Sequence, residues 1–185
     1  MPPAARATLA DLMRVEGKAE LIGGRIVRYP SMGHGPSQIS GTIARSLYDY
    51  VDSAGRGEAF AGGLGYAIPE LPSGREAFCP DASYYDGPPP ENPMDFIPNP
   101  PTFAVEIRGL TDYGPAAERT LAAKRADYFE AGTLVVWDVD PEAEAIVVYR
   151  STSPTSQTVY LKGSVAEAEP AVPGWTVDVS RVFTI

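Results

Sequence analysis

A chain of 185 residues with 44% hydrophobic and 21% charged residues can bury one sizeable core, so a single domain over residues 1–185 is expected. One cysteine, Cys79, and one histidine, His34, exclude an internal disulfide and leave too few ligands for a Cys/His zinc site, so any metal would be held by oxygen. The net charge of −9 argues against tight nonspecific binding to nucleic acid, although carboxylates gathered for cations would contribute to it without excluding a nuclease. No apolar run approaches the roughly 18 residues of a membrane span. The N-terminal MPPAARATLADLM lacks a secretory h-region, so a cytoplasmic protein free of the membrane is expected.

In chain order, TLADLMRVEG predicts a short opening helix with Thr8 as N-cap and Gly17 as stop. Gly23 and Gly24, between two apolar runs in KAELIGGRIVRYP, mark a hairpin. Over residues 36–54, Ile39, Ile43, Leu47, Tyr50 and Val51 fall at helical spacing, so an amphipathic helix should end near Gly55, with His34 in the loop before it. Two strands should follow, EAFAGGLGYAIPE and REAFCPDASYYD, parted by the turn-like LPSG. Residues 86–101 hold seven prolines and must form a loop. TFAVEIRGL reads as a buried strand, PAAERTLAAKRADYFEAG as a helix opened by Pro115 and closed by Gly132, and TLVVWDVD as a central strand. EAIVVYR and QTVYLKG complete a strand-rich C-terminal section. This order implies an α/β fold, a mixed β-sheet with flanking helices, in which residues 102–140 make a parallel strand–helix–strand crossover near the sheet centre.

Glu106 stands in a strand whose Phe103, Val105 and Ile107 alternate towards a core, and Arg108 shares its face. A charge in so apolar a strand costs several kcal/mol unless a partner compensates it. In FCPDASYY, alternation sets Cys79, Asp81 and Ser83 on one face and Phe78, Ala82 and Tyr84 on the other. Pairing of the two strands would then bring Asp81 to the side of Glu106. On the following helix the inward stripe is Ala117, Leu121, Lys124, Tyr128 and Ala131, so a lysine takes a position that calls for a buried anion. Glu20, in the hairpin, is a fourth candidate. Each has a plainer reading: a turn or strand-end aspartate, a structural network in which Glu106 and Arg108 pair with groups on a covering helix, a lysine that snorkels past Tyr128 to water, an exposed hairpin glutamate. His34 reads as an exposed loop residue and Cys79 as a small hydrophobe.

Taken together, Pro80-Asp81, the strand FAVEIR and KRADYF on the next helix resemble the PD-(D/E)XK nuclease superfamily. The runs AELIGGRIV, CPDASYY, FAVEI, AAKRADYFEAGTLVVWDVDP and VPGWTVDVSRVF are similar to the Uma-type restriction endonuclease family over nearly the whole chain, most specifically from Lys124 to Pro141. The resemblance implies a restriction-endonuclease-like fold. It also implies a divalent cation, Mg2+ or Mn2+, held by Asp81, Glu106 and the main-chain carbonyl of Ile107, with Glu20 completing the carboxylate set and Lys124 as the catalytic lysine. Two features depart from the family pattern: RGLTDYGP follows the strand glutamate in place of a serine- and proline-rich turn, and Arg108 takes the spacing of the superfamily's strand lysine. Arg108 therefore rivals Lys124 for the scissile group, and Arg108 and Tyr128 are candidate substrate contacts.

The chemistry suits these residues independently of the resemblance. A cation with hard oxygen ligands polarises a phosphoryl oxygen and acidifies water, and a buried lysine stabilises the developing negative charge. The expected activity is endonucleolytic hydrolysis of nucleic acid, DNA before RNA, with a homodimer left open. The alternative is an inactive nuclease fold that binds a protein partner, which an acidic surface and the altered turn after Glu106 would suit. No G-x-S-x-G elbow, P-loop or H-E-x-x-H directs the chain to other hydrolytic chemistry.

Overall fold

In the computed structural model, which describes residues 5–184, the chain opens with α1 (Leu9–Leu12), the hairpin β1 (Ala19–Ile22) and β2 (Arg25–Arg28), and the long α2 (His34–Ala54). Residues 1–4 and 185, the ends of the expected domain, lie outside the described residues. Four short strands follow, β3 (Glu58–Ala61), β4 (Tyr66–Ala67), β5 (Ala77–Phe78) and β6 (Ala82–Tyr85). Then come β7 (Phe103–Ile107), α3 (Pro115–Ala131), β8 (Val135–Asp140), β9 (Ala145–Arg150) and β10 (Ser153–Leu161). The chain closes with β11 (Val165–Glu167), β12 (Thr176–Asp178) and α4 (Val179–Val182).

Six strands form one mixed sheet in the order β10-β9-β8-β7-β6-β3, in which only β7 and β8 run parallel. The crossover expected over residues 102–140 is thus present, and its strands are the two central ones. Strand alternation divides the core by face. Phe103, Val105, Ile107, Val135, Trp137 and Val139 pack with Ile39, Ile43 and Leu47 of α2 and with Trp175, Val177 and Val182 of the C-terminal segment. Ala104 and Val136 point the other way and meet Tyr128 of α3 with Tyr66 and Phe78 of β4 and β5. Glu106 and Asp138 share the parity of Ala104 and Val136, so alternation turns them towards α3.

Several boundaries differ from those the sequence predicts. The opening helix is a single turn: Thr8 caps it through Asp11, but Arg14 and Val15 bond back only three residues, and the chain unwinds well before Gly17. α2 starts at His34 rather than Pro36, because Gly33 serves as N-cap and Pro36 falls in the first turn, where a missing N–H leaves no bond unmade. His34 is therefore an exposed first helical residue and not part of the preceding loop.

Each of the two long strands predicted between residues 58 and 86 breaks in two. β3 and β6 join the large sheet, whereas β4 and β5 pair as a separate ribbon. The break at Gly62 is steric as well as local, since a Cβ there would lie 3.2 Å from the Asp81 carbonyl oxygen. The break at Pro80 ends the alternation, so Phe78 does not share a face with Ala82 and Tyr84; its ring stacks on Tyr128 at 4.0 Å. Residues 86–101 form a loop without helix or strand, pinned at Ile97, which is buried and bridges to Tyr66. Of the stripe on α3, only Lys124 and Tyr128 are fully buried. Among the described residues no helix is long and apolar enough to cross a membrane.

Candidate active site

Antiparallel pairing of β6 with β7 brings Asp81, at the foot of β6, beside Glu106 near the end of β7. The backbone fixes Asp81 closely. Its amide donates to the Val105 carbonyl at 2.9 Å, its Oδ2 accepts from the Ile107 amide at 2.8 Å, and its carbonyl accepts from the Ser40 hydroxyl at 2.8 Å. Glu106 is fixed from α3: its Oε1 accepts from the Tyr128 hydroxyl at 2.6 Å and pairs with Lys124 Nζ at 2.8 Å. Each carboxylate thus spends one oxygen on an internal anchor. The remaining oxygens, Asp81 Oδ1 and Glu106 Oε2, converge on Lys18 Nζ at 2.7 and 3.1 Å.

Glu20 enters from β1 and is fully buried. Its Oε1 meets Lys124 Nζ at 2.9 Å and the Cys79 amide at 3.0 Å, while Oε2 takes the Tyr29 hydroxyl at 2.8 Å and the Arg75 guanidinium. Arg75 in turn reaches Asp127 of α3 at 2.8 Å. The result is one alternating network in which Lys124 bridges Glu20 to Glu106 and Lys18 bridges Glu106 to Asp81. Tyr128 offers no surface to a ligand, being wholly buried between Phe78 and Glu106.

Burial pushes the carboxyls of Glu20, Glu106 and Asp81 towards their neutral forms, and the facing charges decide the outcome. For Glu20, burial is outweighed by Lys124 and Arg75, and the carboxyl is held at about 2. Glu106 is likewise held below its ordinary value, by Lys124 and then Lys18 against burial. Asp81 goes the other way: burial and the neighbouring Glu106 raise it above the usual range despite Lys18. Burial opposes the charge on both lysines as well, yet the carboxylates overcome it and both stay protonated above the ordinary lysine range.

Arg108 stands apart from this network. Its guanidinium grips Asp138 at 2.8 Å through both Nε and Nη2 and also pairs with Glu118, while Arg125 reaches the same Asp138 at 3.1 Å. The alternation that places Arg108 beside Glu106 holds for the backbone, but the side chain is committed to β8 and α3. Among the described residues no group of three or more His, Cys, Asp or Glu side chains is arranged to hold a metal ion.

Residues 8–180 match the family Uma2, described as "Putative restriction endonuclease". The chain belongs to the Uma2 family. No curated protein matches it. A crystal structure described as a "putative nuclease belonging to DUF820 from Anabaena variabilis ATCC 29413" is similar with a TM-score of 0.73 and 19% identity, over 95% of this chain and 97% of that one. At that identity the likeness is one of fold, and the mixed sheet with few helices is the restriction-endonuclease-like nuclease fold.

The network of this Uma2 chain contains four residues that the sequence reading passes over, Lys18, Tyr29, Arg75 and its partner Asp127. Lys18 lies two residues before Glu20, so the alternation of the β1 segment sets both on one side, and that signal was available. Tyr29 sits opposite, its amide on the Lys18 carbonyl at 2.9 Å, as continuation of the hairpin register requires. Arg75 lies in the turn before β5, where no periodicity marks it; only the tertiary approach of β1 and α3 makes it a buried cation.

Proposed function

We propose that this Uma2 chain is a nuclease that hydrolyses phosphodiester bonds in nucleic acid, DNA before RNA, with Mg2+ or Mn2+ held by Asp81 and Glu106. The observation that carries the reading is the convergence of Asp81 Oδ1 and Glu106 Oε2 on one cationic atom, while their other oxygens are anchored by Ile107, Tyr128 and Lys124. The lysine ammonium stands in for a metal ion at that point. Paired hard oxygens in a largely buried setting suit Mg2+ or Mn2+, and a dication would offset both the burial and the neighbouring Glu106 charge that raise the Asp81 carboxyl. When bound, such a cation polarises a phosphoryl oxygen and acidifies the attacking water.

The chain's own residues then take distinct parts. Lys124, charged and buried, stabilises negative charge developing at the scissile phosphate. Glu20 holds Lys124 in place; with both its oxygens occupied by donors it has none left for a cation. Tyr128 orients Glu106 rather than touching substrate, and Arg108 braces β7, β8 and α3. The single buried thiol, Cys79, suits a reducing cytoplasm.

The test is incubation of the purified protein with supercoiled plasmid, linear duplex, single-stranded DNA and RNA, each with Mg2+ or Mn2+, beside Glu106→Gln. Cleavage that needs the cation and disappears in the variant is expected. A wild-type protein inert on all four would overturn the reading in favour of an inactive nuclease fold that binds a protein partner.

A further inference from the structure

We propose that Lys18 occupies the cation position between Asp81 and Glu106 in the metal-free protein and must be displaced from it when a divalent cation binds. The inference rests on the cation site proposed above and adds a competitor for it within the chain itself.

The geometry distinguishes the two lysines sharply. Both ammonium groups lie over the Tyr29 ring, but Lys124 is bound by the buried Glu20 as well as Glu106, and its side chain is only 8% exposed. It is buried on the inner face of α3 with a carboxylate on either side. Lys18 precedes β1 at the edge of the cluster, and its side chain is 22% exposed. Its backbone is tied by the Tyr29 amide, so only the flexible four-carbon stem has to move. Its ammonium takes the two carboxylate oxygens that have no other partner in the network. A dication and an ammonium cannot share that pair, because like charges at contact distance repel strongly in a partly buried setting. Entry of the metal therefore requires exit of Lys18, and the apparent metal affinity is weaker than the carboxylates alone would give.

The chain has only three lysines, which makes the displacement directly readable. An amine-acylating reagent applied to the wild-type protein, with and without saturating Mn2+ and read by mass spectrometry, should modify the exposed Lys162 in both conditions and Lys124 in neither. Lys18 should be protected without Mn2+ and modified several-fold faster with it. In parallel, Lys18→Met should bind Mn2+ about tenfold or more tightly than wild type by calorimetry, the scale expected for removing a close like charge. The labelling arm uses unaltered protein and stands even if the variant folds poorly. If Mn2+ binds wild type while Lys18 labelling is unchanged and Lys18→Met binds no more tightly, the displacement is wrong and the cation site stands. If Mn2+ binds neither protein, the cation site itself fails and the displacement with it.

Discussion

Replacement of Glu20 by glutamine tests the network at its most buried point. The carboxyl is held at about 2 against an ordinary 4.5, and a depressed carboxyl stabilises the fold above its unfolded value and loses that contribution as pH falls through the folded one. A carboxyl held that low contributes about 3 kcal/mol at pH 7, of which about 2 kcal/mol should disappear between pH 7 and pH 3. Glutamine keeps the shape and removes the titration. Urea unfolding of wild type and Glu20→Gln at pH 7, 5, 4 and 3 should therefore show a stability gap that is widest at neutral pH and shrinks on acidification. Carboxylates outside the network cancel in the difference. Because Lys124 is the strongest of the charges lowering Glu20, the same pH-dependent gap should fall by more than half in a Lys124→Met background. A gap that stays constant from pH 7 to pH 3 would show that Glu20 is not held as an ion pair, and the account of Lys124 would fall with it.

Three further outcomes are expected. Lys124→Met should abolish plasmid cleavage, whereas Arg108→Met should retain it and lose stability instead, by about 3 kcal/mol, since it leaves the buried Asp138 with Arg125 alone; an inactive Arg108→Met with an active Lys124→Met would move the catalytic cation to the strand. Tyr128→Phe deletes a buried bond to an ionised partner and should cost about 1.5–3 kcal/mol, seen as a thermal midpoint lower by several degrees. Hydrogen exchange should be slowest in β7 and β8 and fast over residues 86–101 except around Ile97; fast exchange in β7 would contradict its central place in the sheet.

The parts of the fold legible in the sequence are those governed by contacts close along the chain or by a strong period. Gly23 and Gly24 adopt φ of 59° and 68°, the left-handed pair that a two-residue hairpin turn requires, so the dipeptide alone marks the turn. The apolar runs of β7 and β8 need cover on both faces, which these two central, parallel strands receive. The breaks within residues 58–86 have a different origin. Gly62 passes against the Asp81 carbonyl, and the β4–β5 ribbon forms only because Tyr66 and Phe78 find Tyr128 and its neighbours beneath α3. Gly62 and Pro80 mark the breaks locally, but which pieces then pair is settled by these meetings of distant segments, which no local pattern encodes.

The site divides in the same way. Glu106 and Lys124 are conspicuous as charges out of keeping with their apolar elements, Asp81 is placed by strand alternation and Glu20 is a hairpin candidate, and the structure brings all four into one network. Lys18 obeys the strand alternation that marks the others but stands one residue outside the apolar run, where a lysine is ordinary. Its importance emerges only from the count of charges. Four carboxylates, Glu20, Asp81, Glu106 and Asp127, face three cations, Lys18, Lys124 and Arg75, which leaves one negative charge unmatched. The shortfall falls on Asp81, the one carboxylate of the Glu20–Glu106–Asp81 chain whose only cation is shared; burial first and Glu106 second raise its carboxyl, and Lys18 alone does not offset them. Exchange of Lys18 for a divalent cation would bring the cluster to neutrality without moving another side chain. A buried network one charge short of balance, with its least buried cation at the point of shortage, is the arrangement that the proposed dication would complete by taking the place of Lys18.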